Sequence, residues 1–341
     1  RREERDSGVP FSDFKGYENT TRVLQRIAAR RSFHSAYLFH GPSQVGKRRI
    51  AQAFAMAIFC QSGREGDFCG ECSACRRMLS GAYPDYHLIE PDGAFIKIEQ
   101  TREMIADAAV YPHESPRKIF VLDPAERMRA EAANSLLKVL EEPFEFAIFI
   151  LITANPNAIL PTIDSRCQKV RFTPLPTDLL AAQLQEQYEL DSEAAATLAR
   201  LAGGRPGLCE QLAKGNFLDE RDVVIETLAA IGQNRDLEVF RVSQGLRGGR
   251  DAAIRFFQLL IPVLRDAALL KESGAERQLF NLDRSREIAE ATRGFSADEL
   301  LRAWEDAIAC TANLYVFNAN VQAQIERVLL HLCPVEEIQS P

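Results

Sequence analysis

The sequence predicts an α/β domain built on a parallel sheet, then a small helical segment, then an all-helical domain. Three observations predict it. Short apolar runs alternate with helical patterns up to about residue 172. One of these strand-to-helix joints carries a glycine-bounded loop, Gly41-Pro42-Ser43-Gln44-Val45-Gly46-Lys47. Beyond it no strand pattern returns, and the remaining apolar residues recur at helical spacing. The divisions expected are 1–173 for the α/β domain, 174–215 for the helical lid and 216–341 for the all-α domain.

Each element has its own reason. Val23, Leu24, Ile27 and Ala28 repeat at helical spacing after an entry segment that begins at Phe11. Ala36 to His40 reads as a strand, and Arg48 to Phe59 as the helix after the loop. His87 to Glu90, Lys118 to Asp123 and Ala147 to Ile152 read as buried parallel strands. Ala130 to Glu142 is a helix with Leu136, Leu137 and Leu140 on one face, closed by Pro143. Lys169 to Phe172 is a last strand, ended by Pro174 and Pro176. Helices are expected over 179–187, 194–201, a segment after the turn at 203–207, and 219–231, 236–244, 251–271, 277–292, 297–317 and 319–332.

The loop fits the phosphate-binding pattern G-x-x-x-x-G-K-[ST] at every position but the last, which is Arg48. The strand before it and helix after it supply what such a loop needs: backbone N–H groups at a helix start, facing anions. Gly41, Gly46 and Lys47 are the candidate phosphate contacts. In an active nucleotidase the final hydroxyl holds magnesium on the phosphates; a guanidinium has no lone pair to give. Asp123 ends an apolar strand, where a metal-orienting acid belongs, and it reads equally as a strand-end turn residue. The next residue is Pro124, which cannot polarise water. Two catalytic parts are therefore missing, and retention of ATP or ADP stays open.

Cys60, Cys69, Cys72 and Cys75 form C-x8-C-x2-C-x2-C. Paired C-x2-C steps let thiolates reach one ion from a single turn, and four sulfurs complete tetrahedral Zn2+, a closed structural site; the alternative is free thiols or a redox pair. Gly63, Gly66 and Gly70 supply the turns. Cys167, Cys209, Cys310 and Cys333 are scattered and read as ordinary buried thiols. Arg166, in Ser165-Arg166-Cys167, is a surface arginine or an arginine finger aimed at a neighbour's nucleotide. Val321 to Leu332 is either a partner-facing helix or core.

Composition bounds the rest. With 46% hydrophobic and 26% charged residues, the chain reads as an ordinary soluble protein. A net charge of -7 argues against a surface coated for nucleic acid, though not against a local basic patch such as Arg127, Arg129 and Lys138. No apolar run is long enough to span a membrane. The opening Arg1 to Asp6 lacks the apolar core of a signal peptide and reads as a trimmed start, so the expected location is the cytoplasm.

Taken together, Phe14-Lys15-Gly16, the run from His34 to Pro42, four cysteines after the loop helix, Asn134-Ser135-Leu136-Leu137-Lys138-Val139-Leu140-Glu141-Glu142-Pro143, and Ser165-Arg166-Cys167 resemble the bacterial clamp-loader branch of the AAA+ superfamily. Within that branch, the motor subunits keep the loop hydroxyl and an Asp-Glu pair. Arg48 and Asp123-Pro124 make this chain similar to the non-hydrolysing member. The resemblance implies an AAA+ core, a zinc module, a lid and a C-terminal collar that joins a five-membered ring. It implies a stator-like subunit of a replication complex, without ATPase activity of its own, whose Arg166 reaches the ATP of an adjacent motor subunit. The implied partners are motor ATPase subunits, the delta subunit, the sliding clamp and primed DNA. The alternative is an active motor ATPase of the same branch. A second nucleotide-sensing arginine of the motors aligns with Pro206, one residue after Arg205.

Overall fold

A computed structural model describes residues 8–63, 65–233, 239, 241, 249–272, 278–316 and 320–332. The chain divides into two compact units: Arg1–Leu179 with Gly204–Leu208, and Leu180–Gly203 with Cys209–Pro341.

The first unit is a five-stranded sheet with helices on both faces. Its elements are α1 (Glu18–Arg30), β1 (Ala36–His40), α2 (Lys47–Phe59), α3 (Ser73–Leu79), β2 (Tyr86–Ile89), α4 (Ile98–Ala108), β3 (Lys118–Leu122), α5 (Ala130–Glu141), β4 (Ala147–Thr153), α6 (Pro161–Asp164) and β5 (Gln168–Arg171). The strand order is β2-β3-β4-β1-β5, all pairs parallel. β3 and β4 are buried along their whole length, as their unbroken apolar runs require. Alternate residues feed opposite faces. Leu38, Phe120, Leu122, Phe149 and Leu151 pack with Leu136 and Leu140 of α5 and Met104 of α4. On the other face, Tyr37 meets Phe54 of α2 edge-on, with ring centroids 5.5 Å apart. With the phosphate loop leaving β1 beside β4, this is the expected α/β domain on a parallel sheet.

Three expectations need correction. His87 to Glu90 does not form a buried strand: β2 is a half-buried edge, open because nothing pairs its outer side among the described residues. Helices α3 and α4 were not foreseen. The helix expected over 277–292 is confined, among the described residues, to a 3-10 turn at Leu282–Arg284 and a short helix at Ser285–Ala291. The cause is Asp266, a fully buried carboxylate. It accepts from the backbone N–H groups of Phe280 (3.1 Å) and Asn281 (2.7 Å) and from Asn281 Nδ2 (2.8 Å), so these donors serve a side chain and not a helical ladder.

The second unit is helical. In chain order it holds most of α7 (Thr177–Tyr188), then α8 (Ser192–Ala202), most of α9 (Pro206–Lys214), α10 (Phe217–Gln233), α11 (Gly249–Glu272), α12 (Ser285–Ala291), α13 (Ala297–Val316) and α14 (Val321–Leu330). α11 lies against α13, and α14 packs on α13 through the buried Ile325, Val328 and Leu329, which favours the core reading of that helix. Arg221, almost wholly buried, is neutralised by Asp283 through two bonds of 3.0 and 2.8 Å. Thr197 of α8 bonds the same carboxylate at 3.2 Å. The helix expected over 236–244 falls largely outside the described residues, as does Cys333.

Candidate functional site

The helix α2 has a site at each end. Its start is the phosphate loop. Gly41 sits at φ 148°, and a Cβ there would lie 2.2 Å from the carbonyl oxygen of Phe172, so only glycine lets the loop leave β1 this close to the chain after β5. Gly46 carries φ 94° and opens the helix. Lys47 is buried, and its ammonium donates to the carbonyls of Gly41 and Pro42, each at 2.6 Å. Burial lowers its pKa, while Asp123 and then Glu126 oppose that shift. The lysine that would hold phosphate is thus folded onto its own loop.

Arg48 occupies the place of the hydroxyl ligand. Its guanidinium lies 2.7 Å from Glu90 Oε1 and 3.7 Å from Asp123 Oδ2. Burial raises the Asp123 pKa, and the charges of Arg48 and Lys47 pull it back. Asp123 stands beside Arg48 of the loop helix, in the company of a cation that belongs to the chain. Glu126 faces another way: its carboxylate accepts from the Ala154 N–H at 3.0 Å. Pro124 separates the two acids and offers no general base.

Two further residues complete this end. Glu90 follows β2 directly, as Asp123 follows β3. The two strands are level, Ile89 opposite Leu122, so the acids after them become neighbours. That register is the signal by which Glu90 could have been found. Gly207 donates its N–H to the Gln44 carbonyl at 2.9 Å, which seats the start of α9 on the loop. Pro206 occupies the first position of α9, and burial lowers the pKa of Arg205.

The other end of α2 stops at Phe59, where Cys60 turns to an extended backbone. The thiol sulfurs of Cys60, Cys69, Cys72 and Cys75 all lie within 4.8 Å of one another, and Cys60 and Cys72 are 3.9 Å apart. A tetrahedral Zn2+ with bonds of about 2.3 Å sets its sulfurs ~3.8 Å apart, so the donor set fits that ion. The chain also directs N–H groups at the sulfurs: Cys69 N to Cys60 Sγ and Cys72 N to Cys69 Sγ, both 3.3 Å, and Cys75 N to Cys72 Sγ, 3.5 Å. Burial opposes ionisation of Cys72, yet the N–H groups of Cys75 and Gln61 outweigh it and hold that thiol at about 6. Burial raises the thiols of Cys60 and Cys75. Gly66, at φ 82°, has room for no side chain, because a Cβ would meet the Gln25 carbonyl at 2.1 Å. Cys167, Cys209 and Cys310 are buried, as expected, and are not among the four clustered thiols.

Arg166 is exposed, after α6. Its Nη2 lies 2.6 Å from Glu141 Oε1 and its Nη1 donates to the Thr162 carbonyl at 2.8 Å. β5 runs parallel to β1 with Gln168 opposite Tyr37, and Gly41 lies against Phe172 at the far end. The strand's four residues alone put on the order of 10 Å between Arg166 and the chain's own phosphate loop. The structure does not bring Arg166 to that loop. Arg127, Arg129 and Lys138 are exposed at the start and on the outer face of α5, and Arg129 rests over the Phe95 ring. No helix among the described residues is long and apolar enough to cross a membrane.

Comparison with known proteins completes the picture. A family model described as "DNA polymerase III, delta subunit" matches residues 16–176, and one described as "DNA polymerase III, delta subunit, C terminal" matches residues 215–333. DNA polymerase III subunit delta' of Bacillus subtilis is 30% identical over 307 residues, 87% of this chain and 90% of the relative. Its counterpart in Pseudomonas aeruginosa is 35% identical over 211 residues, 60% of this chain and 63% of the relative, so the match spans under two thirds of that protein. DNA polymerase III subunit tau of Bacillus subtilis is 32% identical over 200 residues, 57% of this chain and 35% of the relative.

Proposed function

The chain belongs to the DNA polymerase III delta' family, and from that premise we propose that it is a non-hydrolysing, stator-like subunit of the replicative clamp loader. It would help load the sliding clamp onto primed DNA in company with motor ATPase subunits and the delta subunit. The observation that carries the reading is Arg48, a guanidinium tied to Glu90 and Asp123 where a nucleotidase has its metal. Neither a hydroxyl ligand nor a Glu after Asp123 is present to align metal or water.

Arg166 supplies the function in trans. A finger must reach a neighbour's triphosphate, and an arginine exposed far from its own loop is suited to that. Glu141 and the Thr162 carbonyl limit the rotamers it must give up on engagement. Zn2+ held by Cys60, Cys69, Cys72 and Cys75 would be structural, since four thiolates leave no position for water. The lid over 174–215 and the collar over 216–341 would join the subunit to the ring. Contacts to DNA would go to backbone phosphates, with Arg127, Arg129 and Lys138 as candidates.

The test is Arg166→Ala in the reconstituted complex. We expect assembly to be unchanged and ATPase at the adjoining motor site to fall by about 10³-fold or more, the range of such fingers. An unchanged rate refutes the trans role.

A further inference from the structure

The fold family implies a magnesium–nucleotide complex at the phosphate loop, and the residues present do not fit the metal. The position that should give a hydroxyl lone pair gives a guanidinium. The two carboxylates nearest to it, Glu90 and Asp123, already accept that guanidinium's charge at 2.7 and 3.7 Å. Lys47 adds a second fixed cation, whose field Asp123 feels. A divalent ion entering here would meet two positive side chains, and its acidic ligands would have to leave a partner built into the chain.

We infer that Arg48 is the resident cation of this site: it stands in for the metal, saturates Glu90 and Asp123, and by itself excludes a divalent cation from a loop that otherwise keeps its shape. The inference rests on the non-hydrolysing reading and deepens it by naming one specificity-determining residue. Arg48 is part-exposed, so its replacement removes charge from the site without opening the core. The same pairs join the first turn of α2 to the chain after β2 and after β3. Arg48 therefore does mechanically what a bound metal does in an active loop, with no ligand needed.

The replacement Arg48→Thr restores the hydroxyl and frees both carboxylates. The probes are a fluorescent ADP analogue, titrated into the full chain with Mg2+ or with chelator, and Mn2+ followed by electron paramagnetic resonance. Wild type should show no Mg2+-dependent nucleotide binding and no bound Mn2+. Arg48→Thr should gain Mg2+-dependent binding by at least about tenfold, Arg48→Thr with Asp123→Asn should lose the gain, and Arg48→Lys should behave as wild type. The inference is overturned if wild type takes up Mn2+ with nucleotide, a result that needs no variant. It is also overturned if Arg48→Thr, folded by circular dichroism, binds no better than wild type. Neither outcome touches the non-hydrolysing reading, which falls only if wild type turns ATP over.

Discussion

The two ends of α2 differ in the donors they hold: one groups four thiols, the other sets a guanidinium where the loop pattern has a hydroxyl. At its C-terminal end the four cysteines retain every donor that a closed tetrahedral site needs, within 4.8 Å of each other. At its N-terminal end the loop retains its glycines and lysine while the ligand position has become Arg48. The difference teaches that backbone shape and chemistry are separable. Gly41 is required because the Phe172 carbonyl is 2.2 Å from any added Cβ, whether or not phosphate ever binds. A loop can thus be held in place by packing alone. A set of bare thiols has no such reason to converge, because grouping four of them offers little packing gain and invites oxidation unless an ion repays it.

The largest effect that would sharpen this contrast is at the cysteines. Cys72→Ser should reduce bound zinc from one ion per chain towards none. Structural zinc contributes about 10–16 kcal/mol in small zinc peptides, so residues 60–79 should lose protection from hydrogen exchange. Cys167→Ser, outside the cluster, should leave the zinc in place. Elemental analysis of protein purified without chelator checks both. Full zinc in Cys72→Ser would break the comparison at this end.

A smaller effect belongs to the other end. Asp123 has a raised pKa because it is buried, and Arg48 works against the rise. Between its ordinary value of 3.8 and its folded value, the folded chain holds a proton that the unfolded chain releases. Stability therefore falls as pH rises through that window. Arg48→Gln removes the opposing charge and widens the window. Its stability should decline with rising pH further than that of wild type, by about 1 kcal/mol or less because the pair is solvent-screened. Urea unfolding at a series of pH values reads this directly. Parallel curves for the two proteins would mean that Arg48 does not compensate Asp123.

The sequence revealed most of what is local. The loop, the four cysteines and β1, β3 and β4 are each read from residues close together in the chain, where spacing and apolar runs carry the information. What escaped depends on packing across the chain. Glu90 reaches Arg48 because β2 and β3 lie in register, and Gly207 reaches Gln44 across more than a hundred and fifty residues. The missed α4 is a different case: Ile98, Thr101, Met104, Ile105 and Ala108 recur at helical spacing with polar residues on the opposite face, so its pattern is legible in the sequence. The break before α12 was hidden in Asp266, whose pull on Phe280 and Asn281 has no sequence signature. The family, by contrast, was visible because its marks are contiguous runs.

A triphosphate cradle that persists only as scaffold should hydrolyse no ATP. Single-turnover hydrolysis of radiolabelled ATP by the purified wild-type chain with Mg2+ tests it most directly. The account predicts no phosphate release above background, and the same null result for Lys47→Ala. Phosphate release by wild type that disappears in Lys47→Ala would contradict it.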